Sequence, residues 1–472
     1  MGSCTSASRE GLPSGSPFAG VTTSGEVLLP QGTAVGDVTS QSAVLWLRTD
    51  GAKSVQLEWA SVEAWKKISA MASVQSPAMR TPLLMTGPET DYTLSIPFSG
   101  LSPATRYRYH ILINDAKQSA RNVAAQGEFT TLPDPATSAP VTFAWSGDLG
   151  GQHRCRQGAG GYPIFDSIRA QQPDFFIFLG DTIYSDDVCP SPPNEPGATF
   201  KATALPEYRA RHRYQRGAAA LQRFLQAIPV YVIWDDHEVK NNFAGPFENQ
   251  MPAGRQALRE YWPIATDASD PHRLYRTIRY GADLELYLLD TRQYRSKNAD
   301  QDGPAKTMLG AQQLRWLLDG LRASTATWKV LVSSVPLSVP KGGSMTGSGY
   351  DGWAGGSNGT GFEWERQLIV DAIMGEKLKN LVFLGGDVHF VQANIYDVNQ
   401  DGTPDFHEFV AGPLSARPGR LTPPSAALHP KNLINEEGYY NFGIVRVTKE
   451  AFAVSIIDDA GSTRFAYKVL AQ

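Results

Sequence analysis

Residues 230–242, VYVIWDDHEVKNN, decide how this chain is read. A run of apolar, strand-forming residues passes directly into Asp235, Asp236, His237, Glu238, Asn241 and Asn242. The aspartates and asparagines are hard oxygen donors suited to divalent or trivalent cations, the imidazole is an acid–base group, and the glutamate can support them. Buried together, such a set is costly to desolvate unless cations neutralise it. The stretch reads as a metal site with a catalytic histidine built in.

The same design recurs elsewhere. VTFAWSGDLGG ends on Asp148, DFFIFLGDTIY delivers Asp181 with Tyr184 one turn later, and NLVFLGGDVHF delivers Asp387 and His389. In each, a β-rich run ends at glycine and the polar group follows, which is how the carboxyl end of a buried parallel strand looks. Ligands of open α/β sheets collect outside those ends. The helical stretch YPIFDSIRAQQ lies between Asp148 and Asp181, so the two fit one right-handed βαβ unit and their carboxylates should meet at one rim. A single strand-terminal Asp is ordinarily a cap or turn former, and a lone His389 ordinarily a structural histidine. Repetition of the arrangement at several strand ends argues for a shared site.

SGD, GDTIY, WDDHEVKNN, DTRQYR and GGDVHF together resemble the PhoD-type alkaline phosphatases, a branch of the calcineurin-like metallophosphatases that includes phosphodiesterases and phospholipase D-like enzymes. The resemblance runs from about Gly32 to the last strands. It implies an α/β catalytic domain, a four-layer αββα sandwich of two mixed sheets between helices, holding ferric iron beside calcium, with zinc or manganese as alternatives. It further implies that Asp181 bridges the metals, that Tyr184 and His389 bind the iron, and that Asn241 and Asp387 bind on the calcium side. Asp236 falls at a further metal-ligand position, and His237 matches the histidine that assists the leaving group or stabilises the transferring phosphoryl group. The chain departs from the pattern at the first motif, where Asp148 stands in place of a cysteine iron ligand.

The residues support this chemistry on their own. One imidazole among carboxylate, amide and phenolate oxygens favours hard cations over a thiolate or three-histidine zinc site. A two-metal site serves phosphoryl transfer by generating hydroxide near neutral pH, neutralising the phosphoryl oxygens and orienting in-line attack. LYLLDTRQYRSK presents Arg292 and Arg295 just after a strand, where guanidinium groups could complete a phosphate cradle, with a salt bridge as the other reading for Arg295. The Gly- and Ser-rich loop that follows, SVPKGGSMTGSGYDGWAGGSNGTGFEWER, carries Lys341, Tyr350, Trp353 and Trp364 and reads as a substrate-lining flap.

At 472 residues the chain exceeds one ordinary core, so more than one domain is expected. Residues 1–27 are Gly, Ser and Thr rich and read as a disordered tail. Residues 28–134 alternate short period-2 runs with turns and read as an all-β fibronectin- or immunoglobulin-like sandwich, in which Tyr107 of GLSPATRYRYHI locks a corner. Residues 135–472 form the metallophosphatase domain.

A net charge of −4 with no basic stripe excludes a chain devoted to nucleic acid, and no apolar run approaches the ~20 residues that span a bilayer. MGSC at the start leaves Cys4 as a lipid-anchoring residue or as none. Cys155 and Cys189 follow two of the strand ends; a disulfide between them would fit an exported protein, the alternatives being free thiols or Cys155 as a displaced iron ligand. DVNQDGTPD has calcium-loop spacing without the closing glutamate, and a polar hairpin turn is the favoured reading over an accessory calcium site. The expectation is an exported monomeric phosphoesterase, periplasmic, extracellular or lipoprotein-anchored, acting on a small or polymeric phosphate ester. The alternatives are a phosphodiesterase on lipid headgroups or wall polymers, and a non-catalytic calcium-dependent adhesion module.

Overall fold

The structure, a computed structural model, describes residues 28–70, 78–114, 122–158, 160–341, 351–355 and 360–472. The expected disordered tail, the Cys4 anchor and the contribution of Tyr350 to a flap lie outside the described residues.

VTFAWS, FFIF and VYV, apolar on both faces, form adjacent parallel strands Val141–Ser146, Phe175–Phe178 and Val230–Val232 at the centre of a nine-stranded sheet. A second, seven-stranded sheet has four parallel neighbours, Leu284–Leu288, Trp328–Val332, Leu381–Gly385 and Phe406–Val410. Period-2 alternation sorts the side chains. Phe143, Trp145, Ile177 and Tyr231 face inward and share one core with Leu286, Val330 and Val382 of the second sheet. Their neighbours Ala144, Phe176, Phe178 and Val232 pack outward on Phe165, Leu221, Phe224 and Leu258 of helices Ile164–Ala170, Ala219–Ala227 and Met251–Tyr261. Tyr287, Leu331 and Phe383 meet helices Gly310–Ala323 and Glu363–Gly375 on the far side of the second sheet. With these central strands buried on both sides, their carboxyl ends are the places left for polar chemistry.

The N-terminal strands form where period 2 places them, at Ser42–Arg48, Ser54–Ser61, Thr93–Ser99, Arg106–Asn114 and Asn122–Thr130. The Tyr107 hydroxyl accepts a hydrogen bond from the Ser102 N–H at 2.8 Å and closes the corner expected of it. Ser54–Ser61, Arg106–Asn114 and Asn122–Thr130 form a sheet of their own that shares a core with Ser42–Arg48 and Thr93–Ser99, and this N-terminal unit is joined to the rest of the chain. Thr33–Gly36 pairs in parallel with Val230–Val232, so Ser42–Arg48 and Thr93–Ser99 continue the nine-stranded sheet, and the cores on the two sides of residue 134 are one cluster. Across the junction the Trp46 indole donates to the Glu260 carbonyl at 2.6 Å and lies 3.8 Å beneath the Arg216 guanidinium, which also covers Trp262 at 4.5 Å. A desolvated cation–π contact of this kind contributes about 2 kcal/mol. Tyr231 donates to the Val38 carbonyl at 2.6 Å, and Asp37 pairs with Arg276 at 2.6 Å.

Residues 135–472 expressed alone are therefore expected to aggregate or to melt without a cooperative transition, because the Val230–Val232 edge and Trp262 lose their cover. Sedimentation and calorimetry of that fragment test this; a soluble, cooperatively melting fragment would show that the shared sheet is dispensable.

Candidate metal centre

The Gly-Asp dipeptides at the strand ends turn the chain sharply enough to aim carboxylates at one place. Asp148, Asp181, Asp387 and His389 all take left-handed backbone, with φ of 64°, 51°, 70° and 59°. Few residues other than glycine adopt it, asparagine, aspartate and histidine most often among them, and its clustering is a mark of functional sites. Gly180 makes the approach possible: a Cβ there would sit 2.4 Å from the Asp235 backbone nitrogen of the next strand end. Glu238 then ties the two ends together. One of its oxygens accepts from the N–H groups of Asp181 and Asp235, both at 3.0 Å, and the other from the N–H and hydroxyl of Thr182, both at 2.7 Å.

Three overlapping groups result, each with ligand atoms within 4.8 Å of one another: Asp148, Asp181 and His389; Asp181, Asp236 and His237; and Asp181, Asp235, Asp236 and Asp387. Asp181 belongs to all of them. The Tyr184 hydroxyl lies 2.8 Å from His389 Nε2, which is 3.3 Å from Asp148 Oδ1. His389 Nδ1 donates to the Arg417 carbonyl at 2.6 Å, which leaves Nε2 as the ligating nitrogen. Asn241 stands exposed at the cavity wall, its N–H held by Asp186 at 2.9 Å.

The donor set fits cations. Asp148 Oδ2, Asp235 Oδ2, Asp236 Oδ1 and Asp387 Oδ2 are buried without a hydrogen-bond partner, an arrangement that proteins rarely leave uncompensated. Burial, and then the charges of Asp236, Asp235, Glu238 and Asp148, push the Asp181 carboxyl well above the usual range. Burial, and then the charges of Asp181, Asp148, Asp236 and Asp387, raise the Tyr184 phenol. Burial opposes ionisation of Asp236, but His237, Arg292 and Lys341 outweigh it and hold that carboxylate below its usual range. Burial likewise works against a charged His237, yet Asp236 and a 2.6 Å hydrogen bond between Nδ1 and Asp186 raise it to about 9. Its ring stacks on Tyr184 with centroids 4.1 Å apart.

Three residues expected at the substrate lie elsewhere. Arg292 is fully buried and saturated: it donates to Asp235 at 2.6 Å and grips Asp351 through two bonds of 2.6 and 2.7 Å. Arg295 is equally buried, bonded to the Thr291 carbonyl, Asn298 and Asp351. Neither forms an open phosphate cradle; both brace the carboxylates from behind. Trp353 is 2% exposed in the core, its indole donating to Ser333 at 3.2 Å, and Trp364 sits exposed at the start of the Glu363–Gly375 helix. Among the described residues of the expected flap, Val339, Pro340 and Lys341 line the cavity, where the Lys341 ammonium touches Asp387 and lies 3.4 Å from Asp351.

Cys155 and Cys189 are joined in a disulfide with Cα atoms 5.8 Å apart, so Cys155 is not an iron ligand. In DVNQDGTPD the carboxylates are occupied by the loop's own N–H groups, Asp401 and Gly402 to Asp397 and Val398 to Asp405, which makes it a turn between antiparallel strands. Asp186, His153, Lys201, Arg417 and Arg420, none singled out in the sequence, line the cavity. The acidic pair after DTIY and the paired arginines of SARPGR were the signals available for them.

A carboxylate–histidine cluster at the strand ends of a two-sheet α/β scaffold defines the class as metallohydrolase-like. The profile of the PhoD-like phosphatase family matches residues 143–454, and that of the PhoD-like phosphatase N-terminal domain matches residues 15–133. The chain belongs to the PhoD-like phosphatase family. It is 28% identical over 413 residues to alkaline phosphatase D of Bacillus subtilis (strain 168), covering 79% of this chain and 66% of that protein, so it spans just under two thirds of that relative's length. A solved structure of PhoD superposes with a TM-score of 0.72 at 24% identity, covering 95% of this chain and 90% of the other. The purple acid phosphatase PPD1 from yellow lupin (Lupinus luteus) seeds superposes at 0.65 with 12% identity, covering 94% and 75%; both likenesses bear on the fold alone. Among the described residues no helix is long and apolar enough to cross a membrane.

Replacing Arg292 by Ala should leave Asp235 buried without its cation and strip Asp351 of its paired guanidinium bonds, and cost about 3–5 kcal/mol of stability. Denaturant melts measure this. Arg292→Lys should recover only part, since an ammonium cannot make the paired bonds to Asp351; a melt of Arg292→Ala within about 1 kcal/mol of the parent would show that the pair is not braced as described.

Proposed function

We propose that the chain is a metal-dependent phosphoesterase, a phosphoric ester hydrolase of the alkaline phosphatase type. The observation that carries this reading is Asp181, shared by every carboxylate group at the rim, with unpartnered oxygens of Asp148, Asp236 and Asp387 around it. Asp148, Asp181, Tyr184 and His389 would hold one cation, and Asp181, Asp236, Asp387 and the nearby Asn241 a second. The hard oxygen set favours ferric iron at the tyrosine end and calcium at the other, with zinc or manganese as alternatives. When bound, such ions neutralise phosphoryl oxygens and lower the pKa of water. The four-layer αββα arrangement belongs to the same reading, supported by helices packed on the outer face of each sheet.

The chain's own part is positioning and proton supply. Glu238 fixes the strand ends so that no carboxylate has to move when a substrate enters. Asp186 holds His237 through Nδ1, keeping it protonated with Nε2 toward the cavity, 3.9 Å from Asp236. From Nε2 a proton can pass to the departing ester oxygen. The disulfide supports an exported protein, and a monomer remains the simplest assembly. The cavity of about 870 Å³ has room for the second substituent of a phosphodiester, which favours diesters as the second reading. The adhesion reading lost its motif when DVNQDGTPD proved self-capped.

Asp181→Asn is expected to abolish both metal content, by elemental analysis, and hydrolysis of p-nitrophenyl phosphate; retention of both metals with normal turnover would remove Asp181 from the bridging position. A ferric–phenolate pair would colour the protein, and Tyr184→Phe should bleach or shift the band; a colourless, active, zinc-loaded protein would sink the iron assignment alone. His237→Ala should slow alkyl phosphates more than nitrophenyl phosphate, whose leaving group needs little protonation, by ~100- to 10,000-fold on the former. Equal losses on both would mean that His237 stabilises phosphoryl oxygens instead.

A further inference from the structure

The cavity is larger than one phosphoryl group needs, and its mouth carries cations that the hydrolytic chemistry leaves unused. Lys201, Arg417 and Arg420 line it above the carboxylates, and the His153 imidazole lines it too. Some arginines elsewhere sit in ion pairs, as Arg209 does with Glu260, Arg213 with Asp91 and Arg276 with Asp37. Among the described residues, Lys201, Arg417 and Arg420 are exposed and have no carboxylate in ion-pair range.

Exposed cations are ordinary on a surface; these differ in how they are mounted. Lys201 lies in a short segment pinned at both ends, where the Cys189 N–H donates to Ala198 at 2.8 Å and the Ala202 N–H to Ser185 at 2.7 Å. The disulfide joins that segment to the loop of Gln152 and His153, whose backbones are left-handed at φ 55° and 67°. Asn194 stitches the loop down, donating to the His153 carbonyl at 3.2 Å and accepting from the Cys155 N–H at 3.1 Å. On the opposite wall the Ala416 N–H donates to the Asp148 carbonyl at 3.0 Å and the Gly419 N–H to the His389 carbonyl at 2.8 Å. Gly419 is required there, since a Cβ would meet the Val388 carbonyl at 2.2 Å. Arg417 and Arg420 are thus carried on backbone bonded directly to residues of the metal centre. Strained, stapled backbone holding unpaired charge over a cavity is preorganised for an anion.

We propose that the mouth is a second anion subsite, so that the preferred substrate is a phosphate ester carrying another phosphate group several bonds from the scissile one. This rests on the phosphoesterase reading and names the substrate class within it. The carboxylate floor repels any anion not neutralised by the cations it holds, so a distal phosphate settles at the mouth. There Lys201 faces it from one wall, and the Arg417 and Arg420 guanidinium groups can each offer two parallel N–H donors from the other.

The test uses the metal-loaded full chain with hexyl phosphate and hexane-1,6-diol bisphosphate as probes. The bisphosphate is expected to show a KM at least about tenfold lower, with the advantage shrinking as potassium chloride is added. Arg420→Ala and Lys201→Ala, on opposite walls, should each bring the KM ratio toward unity, and Arg420→Lys should restore part of it. Equal KM values in the parent chain, or an unchanged ratio in both alanine variants, would overturn the subsite while leaving the phosphoesterase intact. A metal-loaded chain that hydrolyses neither these esters nor p-nitrophenyl phosphate would overturn both readings.

Discussion

Repulsion among buried carboxylates is the constraint around which the rest of this molecule is arranged. Asp148, Asp181, Asp235, Asp236, Glu238 and Asp387 are all buried at one rim. Like charges at such distances cannot all ionise in a medium of low dielectric unless something answers them. The structure divides the task. Glu238 spends its oxygens on backbone N–H groups, and Asp235 Oδ1 is taken by Arg292 and by the Ser334 hydroxyl at 2.7 Å. These two fix positions. The outward oxygens of Asp148, Asp236 and Asp387 have no protein donor and are left for cations. A set that was wholly satisfied by protein would be rigid and inert; one wholly unsatisfied would not fold.

The second layer explains why the arginines of DTRQYR are interior. Asp351 is fully buried and binds Arg292, Arg295 and Asn298 together, while Lys341 lies 3.4 Å from its other oxygen. Positive charge is thereby set behind and beside the acidic rim without blocking its open face. Arginine suits that place, because its planar fork can bond two carboxylates at once and keeps its proton under desolvation. Burial and the adjacent Arg292 draw the Arg295 guanidinium down to about 10, a measure of how crowded the layer is.

The strand ends were legible because each is local. An apolar run, a glycine and an aspartate lie within a dozen residues, and the physics that buries the run also delivers the carboxylate. The tyrosine corner and the Cys155–Cys189 pairing were legible for the same reason, the latter through the βα loops that carry the cysteines. What could not be read was partnership across distance. Arg292 and Asp351 lie 59 positions apart, and nothing near DTRQYR says that a glycine-rich loop will bring back an acid to claim both guanidinium groups. Trp353 looked like a flap residue because its neighbours are glycines, yet tertiary burial overrides that composition. The four-residue strand Thr33–Gly36 is too short to announce a partner, and its pairing with Val230–Val232 joins what composition divides.

That join bears on the metal centre itself. Asp148, Asp181 and Asp236 come from one sheet and Asp387 and His389 from the other, so the site exists only if the two sheets keep their relative position. Face-to-face packing fixes the separation, and polar contacts cross at the rim, among them the Leu414 N–H to the Gly147 carbonyl at 2.9 Å and Arg292 to Asp235 at 2.6 Å. The N-terminal strands lengthen the nine-stranded sheet, and Arg276, the first residue of the second sheet's edge strand Arg276–Tyr280, pairs with Asp37. A displacement of about 1 Å at a reacting centre is enough to cost ~100-fold in rate. On that scale, N-terminal strands that pair with one sheet and bond to the edge of the other bear on how the carboxylates from the two sheets are placed.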